Sequence, residues 1–155
     1  MKFVSTRHEA APSSFSSAIL AGLAPDGGLF VPERFPTFDP AGFDTIDEFA
    51  PFAARVLQPF LAGDPLEPEL AGMCRRAFDF PVPLEELRND TAVLELFHGP
   101  TAAFKDFGAR FLAECMEHAR GADPADTWGI TMRANTLVMT DQAMADVIAY
   151  VQTLR

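Results

Sequence analysis

An α/β chain, mainly helical with a few short strands, is predicted by three features of this sequence. Apolar residues recur at helical spacing in several separate segments, two short apolar runs stand between turn residues, and glycine or proline falls where segments stop. With 155 residues, 48% of them hydrophobic, the chain holds enough apolar side chains for one domain core.

The elements follow in order. Ser13 and Ser14 can cap a helix over residues 15–23 that places Phe15, Ile19 and Leu23 on one face. Pro25-Asp26-Gly27-Gly28 then turns the chain, because proline fixes its own φ and glycine accepts positive φ without penalty. Leu29-Phe30-Val31 reads as a short buried strand closed by Pro32. Residues 46–62 carry Phe49, Phe52, Ala53, Val56, Leu57, Phe60 and Leu61 at helical spacing, and Pro51 belongs in a first turn, so the helix starts near Phe49. Residues 68–78 form another, striped by Leu70, Met73, Cys74 and Ala77 and ended by Pro81 and Pro83. Residues 91–97 predict a largely buried strand, which His98-Gly99-Pro100-Thr101 breaks. A helix to near Arg120 follows, with Phe104, Phe107, Gly108, Phe111, Leu112 and Cys115 along its apolar side. Asp106 with Arg110, and Glu114 with His118, are i,i+4 pairs on its other side. Residues 121–126 read as a linker, and residues 141–153 as a terminal amphipathic helix packed by Met144, Val147, Ile148 and Val151.

Composition narrows the function classes. The formal charge is −10 and no basic stripe exists, which argues against nucleic-acid and anionic-membrane partners. Cys74 and Cys115 lie in helical patterns, as buried thiols rather than a disulfide, and without a CxxC pair or Cys/His cluster no metal site is expected. No apolar run approaches the roughly 20 residues of a membrane span, and the N-terminus has no leader-like run, so the expected location is cytoplasmic.

Lys105 is the only internal lysine, against ten arginines. It falls in the first turn of the helix that runs to near Arg120, after a tight Gly-Pro loop and between Phe104 and Phe107. The partial positive charge of a helix N-terminus disfavours a cation there, and apolar neighbours favour the neutral amine, the form that makes a Schiff base with a carbonyl. The alternative is a solvated lysine paired with Asp106 or Glu114.

Leu96-Phe97-His98-Gly99-Pro100-Thr101-Ala102-Ala103-Phe104-Lys105-Asp106-Phe107-Gly108 resembles the cofactor-attachment segment of threonine synthase, a pyridoxal-phosphate (PLP) enzyme of fold type II. Residues 2–7 and 20–32 resemble that family's N-terminal region in the same order; His8 departs from it, since the family usually has glycine after the arginine. The resemblance covers residues 1–120 and implies the N-terminal region of a fold-type II PLP enzyme, incomplete, with an added C-terminal helix over residues 121–155. It implies that Lys105 is catalytic and holds pyridoxal 5'-phosphate through a Schiff base, with His98, Thr101, Phe104 and Asp106 as candidate cofactor contacts. The structural alternatives are a strand-end His98 capping the loop, Thr101 capping the helix and Asp106 as a surface first-turn acid. The family's reaction converts the small-molecule substrate O-phosphohomoserine to L-threonine and phosphate.

After Arg120 no glycine-rich phosphate loop follows, so the expectation is a truncated region, inactive alone, that does not bind the cofactor tightly. The other expectation is a non-enzymatic helical module that self-associates through exposed apolar faces. Residues 126–132 and 146–154 resemble instead the C-terminal end of a class I c-type cytochrome, with Met132 nearest that family's axial ligand. Without Cys-x-x-Cys-His no covalent haem is expected, and Met132 and Met139 read as packing residues beyond a junction near Arg120, between two unrelated reading frames or made by a deliberate fusion.

Overall fold

The computed structural model describes residues 1–88 and 90–121, and the readings made for residues 122–155 lie outside them. Two antiparallel strands, β1 (Phe3–Ser5) and β2 (Phe30–Pro32), pair Phe3 with Pro32 and Ser5 with Phe30. Between them runs α1 (Phe15–Ala21), whose N-cap is Ser14, accepting from the Ser17 amide. Next come α2 (Phe49–Leu61), α3 (Leu70–Ala77), the hairpin of β3 (Leu84–Glu86) and β4 (Ala92–Leu94), and α4 (Lys105–Gly121). Single 3-10 turns at Pro40–Phe43 and Glu67–Glu69 lead into α2 and α3.

The helices make the core, α2 against α3, α3 against α4, and α4 against α1. The stripe foreseen for α3 is buried as a set, Leu70, Met73, Cys74 and Ala77, and joins Ala53 and Leu61 of α2 and Cys115 of α4. Pro51 sits in the first turn of α2, where its missing N–H costs nothing, whereas Pro59 near the other end forgoes the bond to the carbonyl of residue 55. Both cysteines are free and fully buried; burial pushes the Cys74 thiol to about 11 and that of Cys115 to about 12.

A buried carboxylate joins α1 to the turn after α2. Asp64 Oδ2 accepts from the Ser16 amide and hydroxyl (2.9 and 3.0 Å), and Oδ1 accepts from the Leu66 amide (3.0 Å). A second carboxylate organises the β1–β2 end: Asp26 accepts from Ser5 Oγ (2.7 Å) and from the amides of Gly28 and Glu9. The Ser5 hydroxyl bond, ahead of the amide bonds, holds the Asp26 carboxyl below its ordinary value.

Three expectations are corrected. The strand foreseen at residues 91–97 is only Ala92–Leu94, and it is exposed along its whole length because its single partner, β3, is exposed too. The strand at β2 is half-buried rather than buried, with Val31 exposed. In α4 the inward stripe is Phe107, Phe111 and Cys115, while Leu112 faces out and Phe104 precedes the helix.

Met73 has no solvent exposure at the centre of the α3 stripe. Met73→Ala should lower the unfolding free energy by about 2–5 kcal/mol, measured by urea denaturation. His8 adopts φ 61°, the left-handed region. His8→Gly should therefore stabilise the chain by up to about 1 kcal/mol in the same assay, the relieved strain exceeding the added freedom of the unfolded chain.

Candidate functional site

The chain from β4 into α4 is a turn locked by the residue next to the lysine. The Ala102 amide donates to the Gly99 carbonyl (3.0 Å), and Ala102 itself takes φ 52°, a left-handed position unusual for a residue with a Cβ. Asp106, in the first turn of α4 and only 4% exposed, points its carboxylate back into this turn. Oδ2 accepts from the Thr101 amide (2.9 Å) and Oδ1 from the Thr101 hydroxyl (2.8 Å). Gly99 lies so close beneath that a Cβ there would fall 2.8 Å from Asp106 Cβ and would overlap Oδ2.

All three structural alternatives are corrected. Asp106 is buried rather than a surface acid, and Thr101 donates to it rather than capping the helix, since the loop curls back over the first turn. His98 stacks on Phe97 with ring centroids 4.6 Å apart and sets Nε2 2.6 Å from Glu95 Oε2, so it faces Glu95 instead of capping the loop.

Lys105 is the first residue of α4 and is exposed. The desolvation anticipated from its two phenylalanine neighbours is absent because they diverge: Phe104 is 66% exposed, while Phe107 turns into the core. Neither acid proposed as its partner is available to it. Asp106 is engaged by Thr101, and Glu114 accepts from Arg76 Nε at 2.7 Å. Among the described residues the Lys105 amine makes no hydrogen bond or ion pair, leaving it accessible from solvent.

The base of the lysine's helix is fixed by rings and by one arginine. Phe107 meets Phe49, Phe78 and Phe80 at 5.5, 6.0 and 5.1 Å, so α4 is seated against α2 and the segment after α3 two residues beyond Lys105. Arg110 donates through Nε to the Ala77 carbonyl (2.7 Å) and through Nη2 to the Arg76 carbonyl (2.8 Å) and Asp79 Oδ1 (2.6 Å). It therefore satisfies the carbonyls that α3 leaves open at its C-terminus, where a cation is also favoured by the helix dipole. Of the i,i+4 pairs expected along α4, Asp106 with Arg110 is replaced by the contacts of Arg110 to the end of α3 and to Asp79, while Glu114 and His118 both meet Arg76, and His118 Nδ1 lies 2.9 Å from the Glu114 carbonyl oxygen. Asp106 as a loop clasp and Arg110 as a helix cap were missed by the sequence reading; a small Gly-Pro-Thr turn followed by a first-turn aspartate was the signal available for the first.

Residues 2–78 match the family model described as threonine synthase N terminus. The N-terminal part of this chain belongs to the threonine synthase family. It is 38% identical over 131 residues to the threonine synthase of Pseudomonas aeruginosa, covering 76% of this chain and 27% of that protein. It is 36% identical over 126 residues to that of Escherichia coli, covering 80% and 29%. Among solved structures it is similar to the PLP-bound threonine synthase of Brucella melitensis, with a TM-score of 0.71 and 40% identity over 79% of this chain and 28% of that one. The chain thus spans under a third of the length of the threonine synthases it matches.

The clasp predicts opposite signs at two glycines. Gly99→Ala should lower stability by about 1–3 kcal/mol through collision with Asp106. Gly108→Ala, in α4 with open space where the methyl would go, should raise it by about 0.5–1 kcal/mol. Both values are read from urea denaturation.

Proposed function

We propose that this chain supplies the lysine-bearing N-terminal portion of a threonine synthase-type site, in which Lys105 holds pyridoxal 5'-phosphate covalently through Nζ. The observation that carries this reading is the state of Lys105: an exposed amine at the first position of α4, unpaired among the described residues, while the acids nearest in sequence are held by Thr101 and Arg76. The residues fit the aldehyde end of the cofactor, since an unpaired amine can condense without first breaking an ion pair.

When bound, pyridoxal phosphate supplies an electron sink for the carbons adjoining the substrate amine. This chain's residues do the positioning. Asp106 and Gly99 fix the turn, Phe107 and Arg110 fix the helix, and Lys105 is presented at the junction of the two. Once released from the cofactor, Lys105 Nζ is the group that moves protons on the carbons of O-phosphohomoserine. His98, held by Glu95, and Thr101, held by Asp106, shape the approach, and Phe104 offers a ring beside the lysine. The chain does not complete the catalytic site by itself, with the working region ending near Arg120 and residues 121–155 of separate origin.

A second reading, a self-associating helical module, is favoured by the exposed Leu84, Leu94, Phe97 and Phe104.

Lys2 is the only other lysine, and it provides an internal control. Added pyridoxal phosphate should give a visible absorbance band with the wild-type chain and with Lys2→Ala, and none with Lys105→Ala, whose circular dichroism should be unchanged. Phosphate release from O-phosphohomoserine by the chain alone should stay at background. Equal bands from both variants would overturn the assignment of Lys105.

A further inference from the structure

Two arginines stay unpaired in a chain with an excess of acids. Against 22 acidic residues stand 12 lysines and arginines, yet Arg55 of α2 and Arg75 of α3 make no salt bridge among the described residues. The positions three and four residues to either side of Arg55 hold Pro51, Phe52, Gln58 and Pro59, so α2 offers it no acid at helical spacing. Asp79, four residues after Arg75, is taken by Arg110. Arg110 also bonds the Arg76 and Ala77 carbonyls, which a last-turn arginine of α3 would otherwise serve.

Both unpaired arginines line one groove of about 400 Å³ where α2 meets α3. Much of its lining is small and apolar, with Pro51 and Ala54 from α2, Pro68 from the turn before α3 and Ala71 from α3. Glu67 is the single acid of the lining, and its Oε2 accepts from the Gly63 amide (2.7 Å). Two arginines less one glutamate leave the groove with a formal charge of +1, in a chain whose charge is −10. An apolar concavity with a few charged groups is the usual form of a small-molecule site, and a guanidinium matches a carboxylate through two parallel hydrogen bonds. We infer that the α2–α3 groove binds a small organic monocarboxylate, its anionic group held by Arg55 and Arg75 and its apolar body laid on the prolines and alanines. A charge of +1 matches one carboxylate rather than a doubly charged phosphate. No residue of the groove belongs to the turn at Gly99 or to α4, so the inference stands apart from the reading of Lys105.

Phenylacetate titrated into the full chain, followed through the amide NMR shifts of Ala54 and Ala71, tests it. The expected result is saturable binding with a dissociation constant on the order of 1 mM. Arg55→Gln and Arg75→Gln should each weaken it on the order of tenfold. Both side chains are exposed, so both variants should keep their helical circular dichroism. Acetate, which lacks the body, and phenylacetamide, which lacks the charge, should each bind at least about tenfold more weakly than phenylacetate. Lys105→Ala and Arg34→Gln remove cations from outside the groove and should bind like wild type. The inference is overturned if the two alanine amides do not respond or if either glutamine variant binds like wild type. It is equally overturned if acetate or phenylacetamide matches phenylacetate, or if Lys105→Ala abolishes binding, which would place the carboxylate at the lysine instead. Tighter binding of inorganic phosphate at the same amides would replace the carboxylate by a phosphate ligand.

Discussion

Phe107 is where the rest of the structure is tied together. Its ring is shared between Phe49 of α2, Phe78 at the end of α3 and Phe80 beyond it, so a single side chain of α4 ties together α2 and the segment after α3. Edge-on and tilted ring contacts of this kind add modestly to plain area burial, but they restrict orientation, and orientation is what a residue two positions away inherits. Phe78 extends the set by stacking on Phe111 one turn further along α4. The lysine is thus placed by the rings two residues on and by its neighbour Asp106, without a hydrogen bond or ion pair of its own among the described residues.

The same economy recurs where α1 meets the turn after α2. Asp64 and Asp106 are both buried carboxylates that accept a backbone amide and a hydroxyl from the same residue, Ser16 in one case and Thr101 in the other. A carboxylate that is out of water is tolerable only when its lone pairs are filled; Asp64 is filled by Ser16 in the first turn of α1 and by the Leu66 amide, and Asp106 by Thr101 of the turn before α4. Loops that look like mere connections in sequence are in this way held as firmly as the helices they join.

How much of this could be read from sequence differs by element for physical reasons. The α3 stripe was legible because four apolar residues at helical spacing admit one buried face, and the start of α2 because proline is cheap only in a first turn. The helix beginning at Lys105 was legible from the change of period after Gly99-Pro100. β1 and β3 were not, since a three-residue strand is defined by its partner rather than by its own composition. β4 was found but given the wrong burial: apolar composition states that a segment prefers cover and does not state that cover is present. Of the candidate site, the lysine's place was legible and its surroundings were not, because whether a first-turn aspartate meets solvent or a folded-back loop depends on the backbone of Ala102, whose positive φ no alanine advertises.

The two thiols carry a chemical consequence. With Cys74 near 11 and Cys115 near 12, only about one molecule in ten thousand, or fewer, presents a thiolate at neutral pH, and neither sulfur is exposed to solvent. The interface of α3 with α4 is therefore silent toward electrophiles and oxidants as long as the helices stay together. An aldehyde or alkylating group that finds this folded region meets amines before it meets sulfur, and of those amines the one at the head of α4 is the one the fold has set apart.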